Sequence, residues 1–272
     1  MDEKKDIKDL FSLCGKVAVV TGGAGWLGTS MSEGLAELGA KVVIVDYSQT
    51  AIDAALNTIK DRGLEAYGIC ADVISEEAKV RKVVDDIAEN FGRLDILVNC
   101  AVKSHADLVD KVGYVRFLES YKNSASYVVL SQQAAKYMRK TGGGSIVNIA
   151  SMYGMVTGYP EVYEGLTPPN PITYQADKAA VIQITKHMAV YYAKDKIRVN
   201  AVSPGPFPNN SKKLYAENPN TVEFLRRLRE RVPLKRVGAP QEIKGAVAFL
   251  AGDAASFITG QNIAVDGGWT AW

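Results

Sequence analysis

The sequence Lys16-Val-Ala-Val-Val-Thr-Gly-Gly-Ala-Gly-Trp-Leu-Gly28 joins a β-branched run to a glycine-rich turn. Glycines in such a turn let the backbone bend sharply and approach a phosphate, while the N–H groups at the start of a following helix attract its negative charge. A helical pattern does follow at once, with apolar residues at Leu27, Met31, Leu35 and Leu38. The stretch therefore predicts a strand, a phosphate-binding turn and a helix.

The same alternation of a short β-branched run and a longer helical pattern continues along the chain. Parallel strands joined by crossover helices have this pattern. Seven strands in one series, with no linker rich in Pro, Gly or Ser, predict one α/β domain over residues 1–272, with a doubly wound parallel sheet of the Rossmann type. The predicted strands are 16–21, 41–46, 65–71, 94–99, 145–150, 197–202 and 262–265, and the predicted helices are 26–38, 49–62, 75–91, 114–140, 172–194, 221–230 and 240–251.

The composition is that of an ordinary globular protein. The 272 residues are 47% hydrophobic and 23% charged, and 32 basic residues are scattered among 30 acidic ones for a net charge of +2. We expect neither nucleic acid nor a membrane as a partner, and no metal site. Cys14, Cys70 and Cys100 form no C-x-x-C pair, and the charged N-terminus lacks the apolar core of a signal peptide. These features predict reduced thiols and a cytoplasmic protein.

An acidic residue ends the second predicted strand. Asp46 stands eighteen positions after Gly28, where a carboxylate can accept hydrogen bonds from both ribose hydroxyls of a dinucleotide. A carboxylate there also repels a ribose 2′-phosphate, and no arginine follows in Tyr47-Ser48-Gln49. The sequence therefore favours NAD over NADP as the cofactor.

Tyr174 and Lys178 are four positions apart in a predicted helix, so their side chains share one face. An ammonium group beside a phenol favours the phenolate and so lowers the pKa of the phenol, which is about 10 without such a neighbour. We therefore expect Tyr174 to serve as an acid or base near neutral pH.

Seven motifs together make residues 15 to 272 resemble the short-chain dehydrogenase/reductase family. They follow one another in the order found in that family. They are the glycine turn, Asp72-Val73, Leu94-Asp-Ile-Leu-Val-Asn99, Ser151, Tyr174-Gln-Ala-Asp-Lys178, Arg198-Val-Asn-Ala-Val-Ser-Pro-Gly205 and Val265-Asp-Gly-Gly268.

The resemblance implies an oxidoreductase that interconverts a secondary alcohol and a ketone by hydride transfer with NAD(P). In the family, the residue matching Tyr174 exchanges a proton with the substrate oxygen, that matching Lys178 also holds the nicotinamide ribose, and that matching Ser151 orients the carbonyl. Asn123 falls at the position that supports a proton-relay water. The cofactor contacts implied are Gly22, Gly25, Trp26, Leu27, Gly28, Asp46, Asp72, Val73, Asn99, Ala101, Tyr174, Lys178, Pro204, Gly205 and Phe207.

The chain departs from the family pattern at three places. Trp26 occupies the usual position of the middle glycine, and Gly25 instead gives the spacing of the branch that modifies nucleotide sugars. Cys100 and Val102 replace the usual Asn and Gly after the fourth strand. Ser151 and Tyr174 are 23 positions apart, more than is usual, and the excess is a proline-rich segment.

Two segments are predicted to form the substrate pocket, because both follow strands and project over the carboxyl edge of the sheet. Residues 157–171 carry Tyr159 and Tyr163, which with Ser151 and Tyr174 are the predicted substrate contacts and suit a polyhydroxylated molecule. Residues 205–233 carry basic side chains that would attract an anion, although interleaved acids favour a solvated face. The C-terminal Val265-Asp-Gly-Gly-Trp-Thr-Ala-Trp272 resembles family members that act on sugars, sugar acids and polyols, so a substrate of this kind is expected.

Helices 114–140 and 172–192 are those through which the family forms dimers and tetramers, and a homotetramer, or else a homodimer, is expected. Their apolar residues Val128, Val129, Leu130, Met138, Val181, Ile182, Ile184 and Met188 exceed what one sheet face can cover. Three other functions stay open: a reductase of 3-oxoacyl thioesters or steroids, a nucleotide-sugar epimerase or dehydratase, and a non-catalytic nicotinamide-binding protein.

Overall fold

Seven parallel strands form the centre of the protein, whose computed structural model describes residues 5–104, 108–209 and 218–272. The strands are β1 Val17–Thr21, β2 Lys41–Asp46, β3 Ala66–Cys70, β4 Ile96–Asn99, β5 Gly144–Ile149, β6 Ile197–Pro204 and β7 Asn262–Val265. They lie side by side in the order β3-β2-β1-β4-β5-β6-β7. The predicted seven-stranded, doubly wound parallel sheet is confirmed, and each strand lies within two residues of its predicted bounds.

The central strands are rich in valine and isoleucine because helices cover both of their faces. Every residue of β1 and β4 is buried, whereas β3 at one edge and β7 at the other alternate between half-buried and exposed residues. The order of the strands reverses between the neighbours β1 and β4: β2 and β3 lie on one side of this pair, and β5, β6 and β7 lie on the other. Loops that follow these two strands diverge to opposite faces, which leaves a crevice at the carboxyl edge.

Ten α-helices are assigned in the described residues. They are α1 Ile7–Phe11, α2 Trp26–Glu37, α3 Gln49–Lys60, α4 Glu77–Phe91, α5 Tyr114–Ser120, α6 Lys122–Met138, α7 Pro160–Tyr163, α8 Ile172–Tyr192, α9 Pro219–Arg231 and α10 Lys244–Ala251. Met31 of α2, Ile52 of α3 and Val247 of α10 belong to the core on one face of the sheet. Val84 of α4, Leu130 of α6 and Met188 of α8 belong to the core on the other. None of the described helices is long and apolar enough to cross a membrane.

The predicted helix 114–140 is two helices in the structure, α5 and α6, which meet at Tyr121. Tyr121 provides no side-chain cap for α6. Instead the carboxylate of Asp177, fully buried on α8, accepts a hydrogen bond from the backbone N–H of Ser124 at 3.1 Å. A carboxylate at the start of a helix satisfies N–H groups that lack partners within the helix. The break therefore depends on a residue more than fifty positions away.

Two further differences concern short elements. The predicted helix 240–251 begins with a 3₁₀ turn at Pro240–Ile243, and the α-helix starts at Lys244. Helices α1 and α7 have only five and four residues. Segments so short show no helical periodicity, which explains why the sequence did not predict them.

The apolar residues predicted to form a subunit interface divide into two groups. Leu130, Met138, Val181 and Met188 are buried within the chain itself, so they contribute to its own core rather than to an external surface. The prediction that these four residues form a subunit interface was wrong, because α6 and α8 pack on the sheet through them. Val128, Val129, Ile182 and Ile184 are partly exposed.

Candidate active site

A cavity of about 610 Å³ opens at the carboxyl edge of the sheet, where the loops after β1 to β6 meet. Its size lies within the range of small-molecule sites. Most of the residues selected from the sequence line it. They are Gly22, Gly25, Trp26, Leu27, Gly28, Asp46, Asp72, Val73, Ala101, Ser151, Tyr163, Tyr174, Lys178, Pro204, Gly205 and Phe207.

The glycine turn after β1 forms one wall of the cavity. Gly22 has a φ of +65°, and a Cβ there would lie 2.8 Å from the Cα of Ala101 in the loop after β4. A Cβ on Gly28 would overlap the carbonyl oxygen of Gly22. Both positions thus need glycine for the turn to close against its neighbours.

Helix α2 starts at this wall, and its N-cap Gly25 makes no side-chain hydrogen bond. The N–H groups of its first turn therefore keep the capacity to bind an anion. This uncapped helix start beside a narrow glycine turn fits the pyrophosphate of a dinucleotide. Trp26, the first helical residue, lines the cavity, and its indole N–H is buried without a hydrogen-bond partner among the described residues.

Asp46 lies at the end of β2 and faces the same wall. Its side chain is 8% exposed and accepts weak hydrogen bonds from the backbone N–H groups of Ala24 and Ser48, both at 3.3 Å. The carboxylate is thereby held next to the glycine turn, and Asp46 lines the cavity. A ribose diol would find two acceptors at this position.

Asp72, in the loop after β3, also lines the cavity. Burial alone would raise the pKa of this carboxyl, but hydrogen bonds from Lys103 and Ser75 lower it well below its usual value. The Lys103 ammonium lies 2.6 Å from Asp72 and also lines the cavity. Lys103 could not be recognised from the sequence, because its partner is thirty-one positions away.

Asn99 and Asn123 lie behind the wall rather than on it. Asn99 is fully buried and donates to Asn148 at 2.8 Å and to Ser131 at 3.1 Å. Asn123 accepts from the backbone N–H of Lys103 at 2.8 Å and donates to the Lys103 carbonyl at 3.0 Å. Asn123 therefore holds the loop that follows β4, which forms part of the cavity, and Asn99 links the end of β4 to β5 and α6.

Ser151, Tyr174 and Lys178 come together at the opposite wall. Ser151 follows β5, is 6% exposed, and accepts a hydrogen bond from the backbone N–H of Tyr153 at 3.1 Å. Its hydroxyl also lies next to the phenol of Tyr174. The Lys178 ammonium is buried and donates to the Ile149 carbonyl at 2.7 Å. Strand β5 and helix α8 thus bring three polar groups to one place.

The pKa of Tyr174 departs from the sequence-based expectation. Burial raises it, and the hydrogen bond with Ser151 lowers it by a smaller amount. The Lys178 ammonium lies 5.8 Å from the centroid of the Tyr174 ring, and burial in turn lowers the pKa of Lys178. The expectation that the ammonium lowers the Tyr174 pKa was therefore wrong for the chain alone, because burial of the phenol is the largest cause of the shift and raises the pKa.

The substrate end of the cavity is aromatic. Phe207 lies in the loop after β6, and Phe224 and Leu228 project from α9. The proline-rich segment contributes Tyr163 and Asn170, which confirms that this segment reaches the cavity. Asn170, Tyr153 and Phe224 were not selected from the sequence, because nothing local marks which side of a loop or helix faces a cavity.

Tyr159 lies outside the cavity wall. Its ring packs on Trp269 at 5.3 Å between centroids, and the Arg231 guanidinium lies 4.7 Å from its centre. The basic residues of α9 are also engaged elsewhere. Arg226 pairs with Glu223 and Glu230, and neither it nor Arg231 lines the cavity. Lys212 and Lys213, which belong to the same basic group, lie outside the described residues.

The chain belongs to the short-chain dehydrogenase/reductase family. A family model described as enoyl-(acyl carrier protein) reductase matches residues 23–270, which is most of the chain. Members act as oxidoreductases on alcohols and ketones, and the parallel sheet with helices on both sides is the fold that they share.

Similar proteins cover nearly the full chain. The cis-4-hydroxycyclohexanecarboxylate dehydrogenase of Sinomonas cyclohexanicum is 36% identical, over 94% of this chain and 97% of its own. The 2-dehydro-3-deoxy-D-gluconate 5-dehydrogenase of Escherichia coli is 35% identical, over 97% of this chain and 99% of its own. A crystal structure of a gluconate 5-dehydrogenase from Burkholderia cenocepacia, in complex with NADP and tartrate, has a TM-score of 0.85 and 30% identity and covers 98% of this chain and 100% of its own.

Proposed function

We propose that this chain is a cytoplasmic, NAD-dependent dehydrogenase that oxidises a secondary hydroxyl group of a sugar, polyol or sugar acid to a ketone. One observation carries the proposal: Ser151, Tyr174 and Lys178 share one wall of a cavity whose other wall is a glycine turn with an uncapped helix start. A binding protein without catalytic activity has no need of a phenol beside a hydroxyl in such a cavity.

In this proposal a bound nicotinamide cofactor would provide the acceptor for the hydride of the alcohol or, in the reverse direction, the hydride donor. Tyr174 takes the proton from the substrate hydroxyl or returns it to the carbonyl oxygen. Ser151 donates a hydrogen bond to the same oxygen and so keeps it within reach of the phenol. Lys178 stabilises the phenolate form and orients the nicotinamide ribose.

The raised pKa of Tyr174 has a direct consequence for this chemistry. A phenol that keeps its proton is ready to donate it, which suits reduction of a ketone. Oxidation of an alcohol needs the phenolate, and that form requires favourable charge nearby. The Lys178 ammonium, 5.8 Å from the ring centroid, is the cation in the site that is placed to supply it.

Asp46 favours NAD over NADP as the cofactor, because the negative charge of its carboxylate would repel the 2′-phosphate that NADP carries on its ribose. The gluconate 5-dehydrogenase structure described above holds NADP, so the choice has to be measured for this chain. We further propose that residues 1–272 work as one domain and that four copies assemble, with the partly exposed Val128, Val129, Ile182 and Ile184 at the contacts.

The first experiment is a scan of sugars, polyols, sugar acids, hydroxyacyl thioesters and hydroxysteroids with NAD⁺ and NADP⁺, following the reduced nicotinamide by absorbance. The last two groups test the alternative reductase functions, which the aromatic side chains of the substrate end would also accommodate. Turnover confined to thioesters or steroids would refute the proposed substrate class. No turnover with any alcohol or matching ketone would refute the reaction.

Tyr174→Phe tests the proposed acid and base. The ring stays but the proton is lost, so kcat should fall by about 10² to 10⁴ while the affinity for NADH stays the same. Tyr191→Phe is the matched control, since Tyr191 is on the same helix and 57% exposed. Wild-type activity in Tyr174→Phe would mean that another group exchanges the proton.

A further inference from the structure

The proline-rich segment 157–171 and helix α9 form one structural unit over the substrate end of the cavity, which we call the cap. The two parts are separated by about fifty residues along the chain, yet they share a hydrophobic cluster. Val162 and Tyr163 come from the segment, Leu225 and Leu228 from α9, and Trp269 from the C-terminus, and all five are at least nine-tenths buried.

Arg227 is the main polar link within the cap. One nitrogen of its guanidinium donates to the carbonyl oxygens of Glu161 and Glu164, at 2.8 and 2.9 Å. These carbonyls lie at the C-terminal end of the short helix α7, where such groups lack partners within a helix and attract a cation. Glu223 holds another nitrogen of the same guanidinium at 2.9 Å. Arg227 therefore fixes the end of α7 to α9.

A second arginine of α9 contacts the segment nearer the surface. Arg231 forms an ion pair with Glu161, and its guanidinium lies over the Tyr159 ring. The side chains of this pair are 40% and 53% exposed, so solvent weakens the attraction. Arg227 is less exposed, at 29%, and bonds to the backbone itself. It is the stronger candidate for holding the segment in place.

The segment held in this way places two neutral polar groups at the cavity. Tyr163, the last residue of α7, packs on Phe224 with 5.4 Å between ring centroids. Its phenol is hydrogen-bonded to the phenol of Tyr153, and Asn170 lies beside it at the cavity. Tyr153 in turn donates its backbone N–H to Ser151. A continuous series of contacts therefore runs from Arg227 through Tyr163 and Tyr153 to the hydroxyl of Ser151.

The charged side chains of the described cavity wall lie away from the cap. Asp46, Asp72, Lys103 and Lys178 follow the strand ends or lie on α8, whereas the described residues of the cap that line the cavity are uncharged. A phenol and an amide can donate to or accept from a hydroxyl group, and the adjacent phenylalanine and leucine cover an apolar face. Such a surface matches an uncharged group that bears hydroxyls along one edge.

We propose that Tyr163 and Asn170 select substrates by binding an uncharged hydroxyl group remote from the one oxidised, and that Arg227 is the positioning residue that holds them there. This inference rests on the proposed function, and it narrows the substrate class from sugars and sugar acids in general to polyols and sugars that are neutral at this end. Loss of this hydroxyl from the substrate would remove its hydrogen bonds to Tyr163, which is buried, and to Asn170, and this disfavours the deoxy analogue.

The kinetic test compares Arg227→Met with Arg226→Met, using the best neutral substrate of the scan and its analogue lacking one remote hydroxyl. Arg226 is on the same helix but pairs only with Glu223 and Glu230 of that helix among the contacts observed. For Arg227→Met, KM for the substrate should rise about tenfold, equivalent to roughly 1.4 kcal/mol. KM for NAD⁺ and kcat should stay near the wild-type values. Arg226→Met should match the wild type, and equal KM values in the two variants would overturn the positioning role.

Tyr163→Phe tests the recognition itself, because the ring still packs on Phe224 while the hydroxyl is lost. Discrimination between the substrate and its deoxy analogue, measured as the ratio of kcat/KM values, should fall by about tenfold or more. In the double variant Tyr163→Phe with Arg227→Met the ratio should fall little further, since both changes act on one contact. An unchanged ratio in Tyr163→Phe would overturn the assignment.

Hydrogen exchange separates a failure of this inference from a failure of the proposed function, since it needs no turnover. Backbone amides of segment 157–171 should exchange faster in Arg227→Met than in Arg226→Met, with no difference in the strands of the sheet. Equal exchange in the two variants would refute the role of Arg227 even if the enzyme proves to be a dehydrogenase. Faster exchange in a protein that oxidises none of the compounds would leave Arg227 as a positioning residue and refute the reaction.

Discussion

Different kinds of contact stabilise the two ends of the cavity. At the cofactor end, the glycine turn, Asp46 and the start of α2 lie within about thirty residues of each other in the chain, and close approach of backbone groups shapes the wall. At the substrate end, side chains of the segment 157–171, α9 and the C-terminus pack on one another. The cofactor end should therefore tolerate no added atoms, whereas the substrate end should accept substitutions and change its specificity.

The largest expected effect comes from Gly28→Ala at the cofactor end. The new methyl group would overlap the backbone of Gly22, which cannot move without opening the turn. We expect a loss of about 3 kcal/mol of stability or more, together with the loss of NADH binding. Thermal unfolding and NADH fluorescence titration measure the two quantities.

Gly245→Ala is the matched control for this substitution. Gly245 is an exposed residue within α10, and a Cβ there would meet nothing within 4 Å. Alanine in a helix interior is favoured over glycine by about 1 kcal/mol, so this variant should be slightly more stable than the wild type. If Gly28→Ala bound NADH as well as Gly245→Ala, the distinction drawn between the two ends would not hold.

Asp46→Asn should have a smaller and more selective effect. The amide keeps the size of the side chain but removes the negative charge, so the ratio of kcat/KM with NADP⁺ to that with NAD⁺ should rise by about tenfold or more. KM for the alcohol should not change, because Asp46 belongs to the cofactor end. Asp53→Asn provides the control, since Asp53 is an exposed acid on α3 that bonds to Gln49. A constant ratio in Asp46→Asn would exclude contact with the ribose.

The smallest effect concerns the thiols. Burial raises the pKa of Cys100, which lines the cavity, to about 11, whereas Cys14 and Cys70 are exposed. Thiolate is the reactive form, and a raised pKa keeps Cys100 protonated at pH 8. An aromatic disulfide reagent at that pH should therefore label two thiols rapidly and the third slowly. The number of rapidly labelled thiols should be the same in Cys100→Ser as in the wild type. Three rapidly labelled thiols would show that this wall of the cavity is open to solvent.

The sequence by itself predicted the features that depend on local spacing. β-Branched runs and helical periodicity predicted the number and direction of the strands, since strands that alternate regularly with helices favour parallel crossovers. The glycine turn, Asp46, Tyr174 and Lys178 were recognised for the same reason, and Ser151 was recognised through the resemblance to the family. Each lies at a strand end or at a fixed interval on a helix, and parallel strands bring their carboxyl ends to one edge.

Only the tertiary structure decided what depends on contacts between distant segments. The break between α5 and α6 requires the buried carboxylate of Asp177, and the raised pKa of Tyr174 requires the burial that the fold imposes. The same holds for the cap, where Tyr163 faces the cavity and Tyr159 faces Trp269 although they are four positions apart. Local sequence cannot specify which face of a loop is covered, because packing and desolvation are properties of the whole assembled core.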